Sequence, residues 1–193
     1  LDLLEAFAIS NDTASALGYL PSVDTWREFP KPTVCAVEGS VRNVALAFIE
    51  ASDICVAGEN ATFQHDELSL GLLPSAGSTQ LLPRLVGKKV ATSMLFAGWP
   101  LNAAEALRYG LVSRVVPEGT AFAAASQLVG SLSSFSRPIV RELKRLVRAS
   151  SELRLSDGIA EEARAFPTSF GLEDRTEGTG AALQERVPTF RHR

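Results

Sequence analysis

Side chains that could carry acid–base chemistry cluster at residues 63–67, which read Phe-Gln-His-Asp-Glu. An imidazole and two carboxylates on consecutive residues can accept and donate protons near neutral pH. Gly71 and Pro74 follow closely and rule out a continuous helix, so these groups are expected on irregular backbone. Carboxylates on loops that a rigid scaffold holds are frequent catalytic groups, and Glu67 is therefore the first candidate for moving protons.

Two residues of this segment also have simpler interpretations. Taken alone, Glu67 fits a solvated loop carboxylate or a cap, and His65 fits a loop histidine bonded to the backbone. If His65 instead faces a pocket, a cluster of His65, Asp66 and Glu67 would offer an acid–base pair. The residue types alone leave both interpretations open.

A longer motif surrounds these residues. Residues 63–87 read Phe-Gln-His-Asp-Glu-Leu-Ser-Leu-Gly-Leu-Leu-Pro-Ser-Ala-Gly-Ser-Thr-Gln-Leu-Leu-Pro-Arg-Leu-Val-Gly. This stretch resembles the signature of the crotonase superfamily, the enoyl-CoA hydratase/isomerase family. Shorter matches at 31–39, 52–58, 110–117, 177–178 and 186–190 extend the resemblance over essentially the whole chain. The resemblance implies an α/β fold with a crotonase-like ββα spiral core.

The resemblance also implies a reaction. Members of the family bind an acyl-CoA thioester, hold its enolate oxygen with two backbone amides, and move protons with one or two carboxylates. Glu67 matches the catalytic glutamate of the motif. The amide of Val44 matches one oxyanion donor, and Leu1 falls in the loop that supplies the other. Ala47 occupies the position at which hydratases carry a further glutamate.

The sequence departs from the family pattern around these positions. Residues 43–45 read Asn-Val-Ala where the family has glycines, and Asp66 replaces a proline. A Cβ at the former glycines can obstruct the close approach of a thioester. Glu50 lies one helical turn beyond Ala47, displaced by roughly 4.5 Å along the axis, and offers an alternative carboxylate.

Retention of Glu67 with Ala47 at the second position favours an isomerase. We therefore expect an enzyme that shuttles a proton with a single glutamate; a hydratase and a catalytically degenerate binding or scaffold subunit are the alternatives. His65, Phe190 and Arg191 are predicted to contact the substrate, the last two because they match an aromatic and basic pair that binds coenzyme A in several members. The resemblance implies no cofactor beyond the coenzyme A of the substrate, and a homotrimer or hexamer assembled through C-terminal helices.

The elements that must position these residues follow from hydrophobic periodicity. The pattern predicts strands at 33–37, 53–58 and 111–116, and helices at 22–29, 41–51, 79–85, 88–97, 103–109, 155–170 and 178–184, with a further helix through Ile139, Leu143 and Val147. A Ser or Thr is expected to cap the helix at 79, and Asn102 the helix at 103. The alternation of strands and helices indicates an α/β core at 1–120 and a helical region at 121–193. The apolar start at Leu1 predicts that the N-terminal part of the core is incomplete.

Composition narrows the class of protein. The 193 residues are 46% hydrophobic and 21% charged, which is typical of a soluble globular protein. A net charge of −3 gives no reason to expect nucleic acid as a partner, and no apolar run approaches the roughly 18 residues of a membrane span. We therefore expect a cytoplasmic protein. Cys35 and Cys55 are interpreted as small buried hydrophobes rather than a disulfide, and His65 and His192 are too few for a zinc site.

Overall fold

The computed structural model describes residues 19–193, which fall into two compact units. The first unit contains residues 19–29 and 33–125, and the second contains 30–32 and 126–193. The division lies inside a helix that begins at Ala121, whereas the sequence places the boundary just before that helix.

Short strands and helices alternate in the first unit, although the periodicity predicts only three of the six strands described there. In chain order they are α1 (Tyr19–Glu28), β1 (Val34–Val37), β2 (Ser40–Arg42), α2 (Val44–Glu50), β3 (Ile54–Gly58), β4 (Thr62–Gln64), a 3-10 turn (Glu67–Leu70), α3 (Ser78–Val86), α4 (Lys88–Ala97), β5 (Leu101–Asn102), α5 (Ala103–Tyr109), β6 (Arg114–Val116) and α6 (Ala121–Ser133), which continues into the second unit. The mixed α/β class expected from the sequence is confirmed.

The strands of the first unit form two three-stranded sheets. One sheet has the parallel order β1-β3-β6. In the other, β4 lies between β2, which is parallel to it, and β5, which is antiparallel. Residues 40–42 pair with β4 through Val41 and Phe63, so the helix predicted at 41–51 starts only at Val44. Because β2 and β4 are parallel, the residues that follow both strands leave the sheet at the same edge.

Helix α2 lies between two groups of apolar side chains. On one side Leu46 and Ile49 belong to the main core, whose other large, fully buried members are Phe63, Leu82 and Met94. On another side Ala47 is 0% exposed, in a smaller cluster with Val23, Ala51 and Ala76. Burial on both sides fixes the helix, so that its polar residue Glu50 is held in a defined direction.

Two helix starts test the predicted caps. Asn102 caps α5 as expected, since its side chain accepts from the Glu105 amide and the Glu105 carboxylate accepts from the Asn102 amide. The Ser or Thr cap predicted for α3 is wrong. That helix follows Gly77, whose φ of 89° turns the chain into the helix without a capping side chain.

The second unit is helical. It contains α7 (Arg137–Ala149), α8 (Leu155–Ala165), a 3-10 turn (Phe166–Gly171) and α9 (Glu173–Leu183). The helix predicted at 155–170 ends at Ala165, because the chain tightens into the 3-10 turn that contains Pro167. Helix α7 exposes Ile139, Leu143 and Val147, the apolar positions that predict it.

Both cysteines lie on neighbouring strands of the parallel sheet. Cys35 and Cys55 are paired in register on β1 and β3 as free thiols, and burial, with a further contribution from Cys35, raises the pKa of Cys55 to about 12. Within residues 19–193, three or more His, Cys, Asp or Glu side chains do not converge in a way that could hold a metal ion. In the same part of the chain, none of the helices is long and apolar enough to cross a membrane.

Candidate active site

The carboxylate of Glu67 is held by a tight turn that follows β4. Glu67 begins the 3-10 turn, and the turn closes where the Leu72 amide donates to the Glu67 carbonyl at 3.0 Å. Gly71 ends the turn with a φ of 69°, a conformation that favours glycine. The irregular backbone predicted around Glu67 is therefore confirmed.

His65 joins two carboxylates that are distant in sequence. Its Nε2 lies 3.0 Å from Oε1 of Glu50, at the end of α2. Its Nδ1 lies 3.1 Å from Oε2 and 3.2 Å from Oε1 of Glu67. We call this row of Glu50, His65 and Glu67 the relay cluster.

Burial and charge act in opposite directions on the imidazole. Burial lowers the pKa of His65, but the hydrogen bonds from the ring to Glu50 and Glu67, together with the two negative charges, outweigh that effect and raise the pKa to about 9. At neutral pH the ring is therefore an imidazolium, and each of its N–H groups donates to one carboxylate.

The members of the relay cluster differ in their access to the surface. The side chains of Glu50 and His65 are 0% and 1% exposed, whereas that of Glu67 is 8% exposed. Oε2 of Glu50 is buried and has no hydrogen-bond partner in the structure of residues 19–193. Glu67 is thus the member of the cluster nearest the surface, while Glu50 lies on the far side of the imidazole.

Asn43 and Asp66 fasten the loop that carries the cluster. The Asn43 amide donates to the Gln64 carbonyl at 3.1 Å, and the Asn43 side chain accepts from the Asp66 amide at 3.0 Å. Asn43 has φ 55° and ψ −128°, a strained conformation for any residue except glycine. A proline at position 66 would have no amide N–H. The Asp66 N–H donates to Asn43, which itself stands where the family has a glycine.

Asp66 does not belong to the relay cluster. Its carboxylate pairs with Arg42 of β2 at 2.9 Å. The cluster of His65, Asp66 and Glu67 considered from the sequence is therefore wrong in one member, because Glu50 takes the place of Asp66. His65 is likewise bonded to side chains rather than to the backbone. Carboxylates occupy both of its ring nitrogens. The assignment of His65 to substrate binding stays a prediction.

Of the two expected oxyanion donors, the amide of Val44 lies at the start of α2, and that of Leu1 lies outside the described residues. Val44 is the first residue of α2, where backbone N–H groups lack partners within the helix. It leaves the sheet at the edge where His65 leaves β4. Leu1 lies outside residues 19–193. The role of both amides stays a prediction.

In the sequence, Glu50 stands only as an alternative carboxylate, although one signal marks it. It is the single charged residue of α2, which otherwise reads Val-Ala-Leu-Ala-Phe-Ile. An ionisable group on an apolar helix is rarely buried without a partner. The partner could not be identified, because it is 15 residues away and meets Glu50 only through the pairing of β2 with β4.

The two C-terminal candidates lie against α9 in the second unit. The Arg191 amide donates to Asp174 at 2.7 Å, and the Phe190 ring packs against Gly178. A cavity of about 570 Å³ opens there. Its lining consists of Glu173, Asp174, Thr176, Glu177, Gly180, Arg186, Thr189 and Arg191. A role of Phe190 and Arg191 in binding coenzyme A stays a prediction.

Comparisons with known proteins agree on one family. A family model described as Enoyl-CoA hydratase/isomerase matches residues 1–193. The 2,3-dehydroadipyl-CoA hydratase of Escherichia coli is 38% identical over 165 residues, which cover 86% of this chain and 65% of that protein. The mitochondrial enoyl-CoA hydratase of Pongo abelii is 32% identical over 190 residues, which cover 98% of this chain and 66% of that protein.

Solved structures give the same result for the fold. The crystal structure of an enoyl-CoA hydratase from Bacillus anthracis matches with a TM-score of 0.94 at 27% identity, covering 100% of this chain and 75% of that one. The predicted crotonase-like fold is confirmed.

Proposed function

Because the chain belongs to the enoyl-CoA hydratase/isomerase family, we propose that it binds an acyl-CoA thioester and moves a proton on the acyl chain with the carboxylate of Glu67. One observation carries the proposal. Glu67 is the member of the relay cluster whose side chain is most exposed, and it follows the strand that pairs with the one leading into Val44. A proton acceptor and a backbone donor are thereby available at one edge of a sheet.

The first step is binding of the thioester carbonyl. Its oxygen accepts hydrogen bonds from the amide of Val44 and, by the resemblance to the family, from that of Leu1. When a proton leaves the neighbouring carbon, negative charge moves to this oxygen. Donors that are already in place stabilise that charge without reorganisation, and the positive end of α2 adds to the effect.

The second step is transfer of a proton by one carboxylate. The Glu67 anion removes a proton from the α carbon of a 3-enoyl-CoA, and the electron pair of the C–H bond enters a dienolate. The protonated Glu67 then delivers the proton to the γ carbon, which leaves a 2-enoyl-CoA. The step consumes no water, so it needs no carboxylate at Ala47, a position that apolar side chains surround.

Three observations support the alternatives. The similar proteins from E. coli and Pongo abelii are named hydratases, and Glu50 offers a second carboxylate, although His65 separates it from Glu67. Hydration is therefore the second candidate. The strained Asn43 in place of a glycine favours the third, a subunit that has lost turnover.

Two further proposals concern ligands and assembly. We propose that Phe190 and Arg191 contact the coenzyme A part of the substrate, with no other cofactor involved in the proton transfer. The exposed apolar positions of α7, Ile139, Leu143 and Val147, support a homotrimer or hexamer.

The experiment compares the protein with Glu67→Gln, a variant of the same shape that cannot take up a proton. Conversion of a 3-enoyl-CoA into the 2-enoyl isomer should fall by roughly 100- to 10,000-fold, while calorimetric binding of acetoacetyl-CoA should persist. Glu59→Gln, a change at an exposed glutamate, serves as the matched control and should leave the rate unaltered. An unaltered rate in Glu67→Gln would exclude this carboxylate as the group that moves the proton. Hydration without isomerisation by the wild type would favour the hydratase. Absence of acyl-CoA binding by the folded wild-type protein would favour a scaffold.

A further inference from the structure

The relay cluster contains more than a single-glutamate proton transfer requires. Glu67 alone can take a proton from one carbon and return it to another, yet a charged imidazole and a second carboxylate are buried behind it. Burying an ionised group is costly unless its hydrogen bonds are satisfied. Glu50 nevertheless keeps one oxygen without a partner in the described structure.

The charges of the cluster change during the proposed reaction. In the resting state the imidazolium of His65 lies between two anions, and its Nδ1–H donates to Glu67. When Glu67 takes a proton from the substrate, it becomes neutral and attracts the imidazolium less. His65 and Glu50 are then a buried ion pair, one oxygen of which is unsatisfied. Such a pair can be less stable than the two neutral groups formed by moving one proton.

The path for that proton is short. Nε2 of His65 and Oε1 of Glu50 are 3.0 Å apart, within hydrogen-bond distance. Resting on the proposed function, we propose that Glu50 is a buried proton acceptor. When Glu67 becomes neutral, Glu50 takes the Nε2 proton of His65, and this compensating transfer replaces the buried ion pair by two neutral groups. As Glu67 is protonated, the Nε2–H bond of His65 breaks and an O–H bond forms on Glu50; as Glu67 delivers its proton, the Glu50 proton returns to Nε2.

Protein and substrate together conserve protons and charge: when Glu67 takes the proton, the relay cluster changes from −1 to neutral and the substrate becomes a dienolate anion, and the transfer from His65 to Glu50 leaves the cluster neutral. The substrate's proton moves only between carbon and Glu67, and the compensating proton moves only between His65 and Glu50. The Nδ1–H stays in place and keeps the carboxylate of Glu67 oriented towards the substrate. His65 and Glu50 are therefore positioning residues, whereas Glu67 is the catalytic residue.

The other charged groups near the cluster are not among those that act on the imidazole. Glu50 and Glu67 are the groups whose charges and hydrogen bonds raise the pKa of His65, whereas Asp66 is paired with Arg42 at 2.9 Å. From α4, which packs against the 3-10 turn, Lys88 and Lys89 point to solvent. The compensating proton thus has its acceptor in Glu50 rather than in a surface group.

The decisive test needs no substrate. Glu67→Gln imitates the protonated, neutral Glu67, so the proposal requires His65 to lose its Nε2 proton in this variant. Nitrogen NMR of ¹⁵N-labelled histidine at pH 7 should show two protonated ring nitrogens in the wild type and a neutral ring in Glu67→Gln. The sequence contains two histidines, so a His192→Gln variant assigns the signals. Infrared spectra should show a new protonated carboxyl in Glu67→Gln that disappears in the double variant with Glu50→Gln.

A kinetic test addresses the same proton during turnover. Gln at position 50 can accept the Nε2–H hydrogen bond but cannot take the proton, so Glu50→Gln should lower kcat by roughly 10- to 100-fold with little change in KM. The wild type should react more slowly in D2O than in H2O, because the compensating proton exchanges with solvent, and Glu50→Gln should lose this difference.

The outcomes separate this proposal from the proposed function. An imidazolium that persists in Glu67→Gln overturns the compensating transfer, even if the wild-type protein isomerises acyl-CoA through Glu67. A solvent isotope effect that is the same in Glu50→Gln and wild type also overturns it. A neutral ring in Glu67→Gln, in a protein that neither binds nor converts acyl-CoA, would instead support the transfer and overturn the proposed function.

Discussion

Two buried carboxylates of this protein, Glu50 and Asp174, are treated in opposite ways by their surroundings. Asp174 is 2% exposed, and it accepts hydrogen bonds from the Ser136 hydroxyl at 2.6 Å and from the amides of Arg191 and His192 at 2.7 and 3.0 Å. Both of its oxygens are satisfied. Glu50 is 4% exposed as a whole residue. One of its oxygens bonds to His65, and the other has no partner in the described structure.

The difference indicates a structural role for Asp174 and a role in proton transfer for Glu50. Burial alone would raise the pKa of Asp174, but the hydrogen bonds from Ser136 and the two amides lower it below its ordinary value. Asp174 is thus held as an anion, which ties the C-terminal residues to α9. Glu50 lacks such a shell of neutral donors and faces a cation instead. An anion with satisfied oxygens stabilises a fold, whereas one with a free oxygen next to a proton donor is suited to proton transfer.

The largest expected effect follows from removing the cation. In His65→Leu, Glu50 and Glu67 lose their shared partner and remain buried as like charges. The free energy of unfolding at pH 7 should fall by about 3–5 kcal/mol, the usual result of breaking a buried ion pair on one side. Urea denaturation measures the change, and the surface variant Glu59→Gln should differ from wild type by less than about 0.5 kcal/mol. A loss no larger than that of the control would mean that the cluster contributes little to folding.

The second effect concerns pH. The pKa of His65 is about 9 in the folded protein, against 6.5 for an unperturbed histidine of the unfolded chain, so the folded protein binds the proton more tightly. The contribution of His65 to stability is complete below pH 6.5 and is lost as pH rises through 9. The shift corresponds to a decrease of about 3 kcal/mol in the free energy of unfolding over this interval.

Denaturation series at several pH values test this sign. Wild type should lose stability between pH 6.5 and 9, and His65→Leu should lack this component. A wild-type stability that rises over the interval would show that His65 is not an imidazolium in the folded protein.

The sequence predicts the position of Glu67 well but not its surroundings. The motif and the glycine at position 71 define the turn locally, and Asn102 with Glu105 defines the start of α5. These features depend on residues a few positions apart. Local patterns of this kind can be read from one sequence.

The rest of the cluster depends on distant contacts. Whether Glu50 meets His65 is decided by the pairing of β2 with β4 and by the packing of α2 against two apolar groups. The cap of α3 fails for a related reason, because the positive φ of Gly77 removes the need for a Ser or Thr side chain. Such long-range contacts leave no periodic signal in the sequence.

The smallest effect is expected at the satisfied carboxylate. In Ser136→Ala, Asp174 loses one neutral donor, but the amides of Arg191 and His192 still bond to it. The melting temperature should therefore fall by less than in His65→Leu, and hydrogen exchange at those two amides should quicken only slightly, because the carboxylate that holds them remains in place. Calorimetry and exchange measured by NMR give both quantities. Ser136→Ala could instead prove as destabilising as His65→Leu. The number of satisfied oxygens would then not distinguish a structural carboxylate from a reactive one. The contrast between Asp174 and Glu50 would have to rest on the charge of their partners alone.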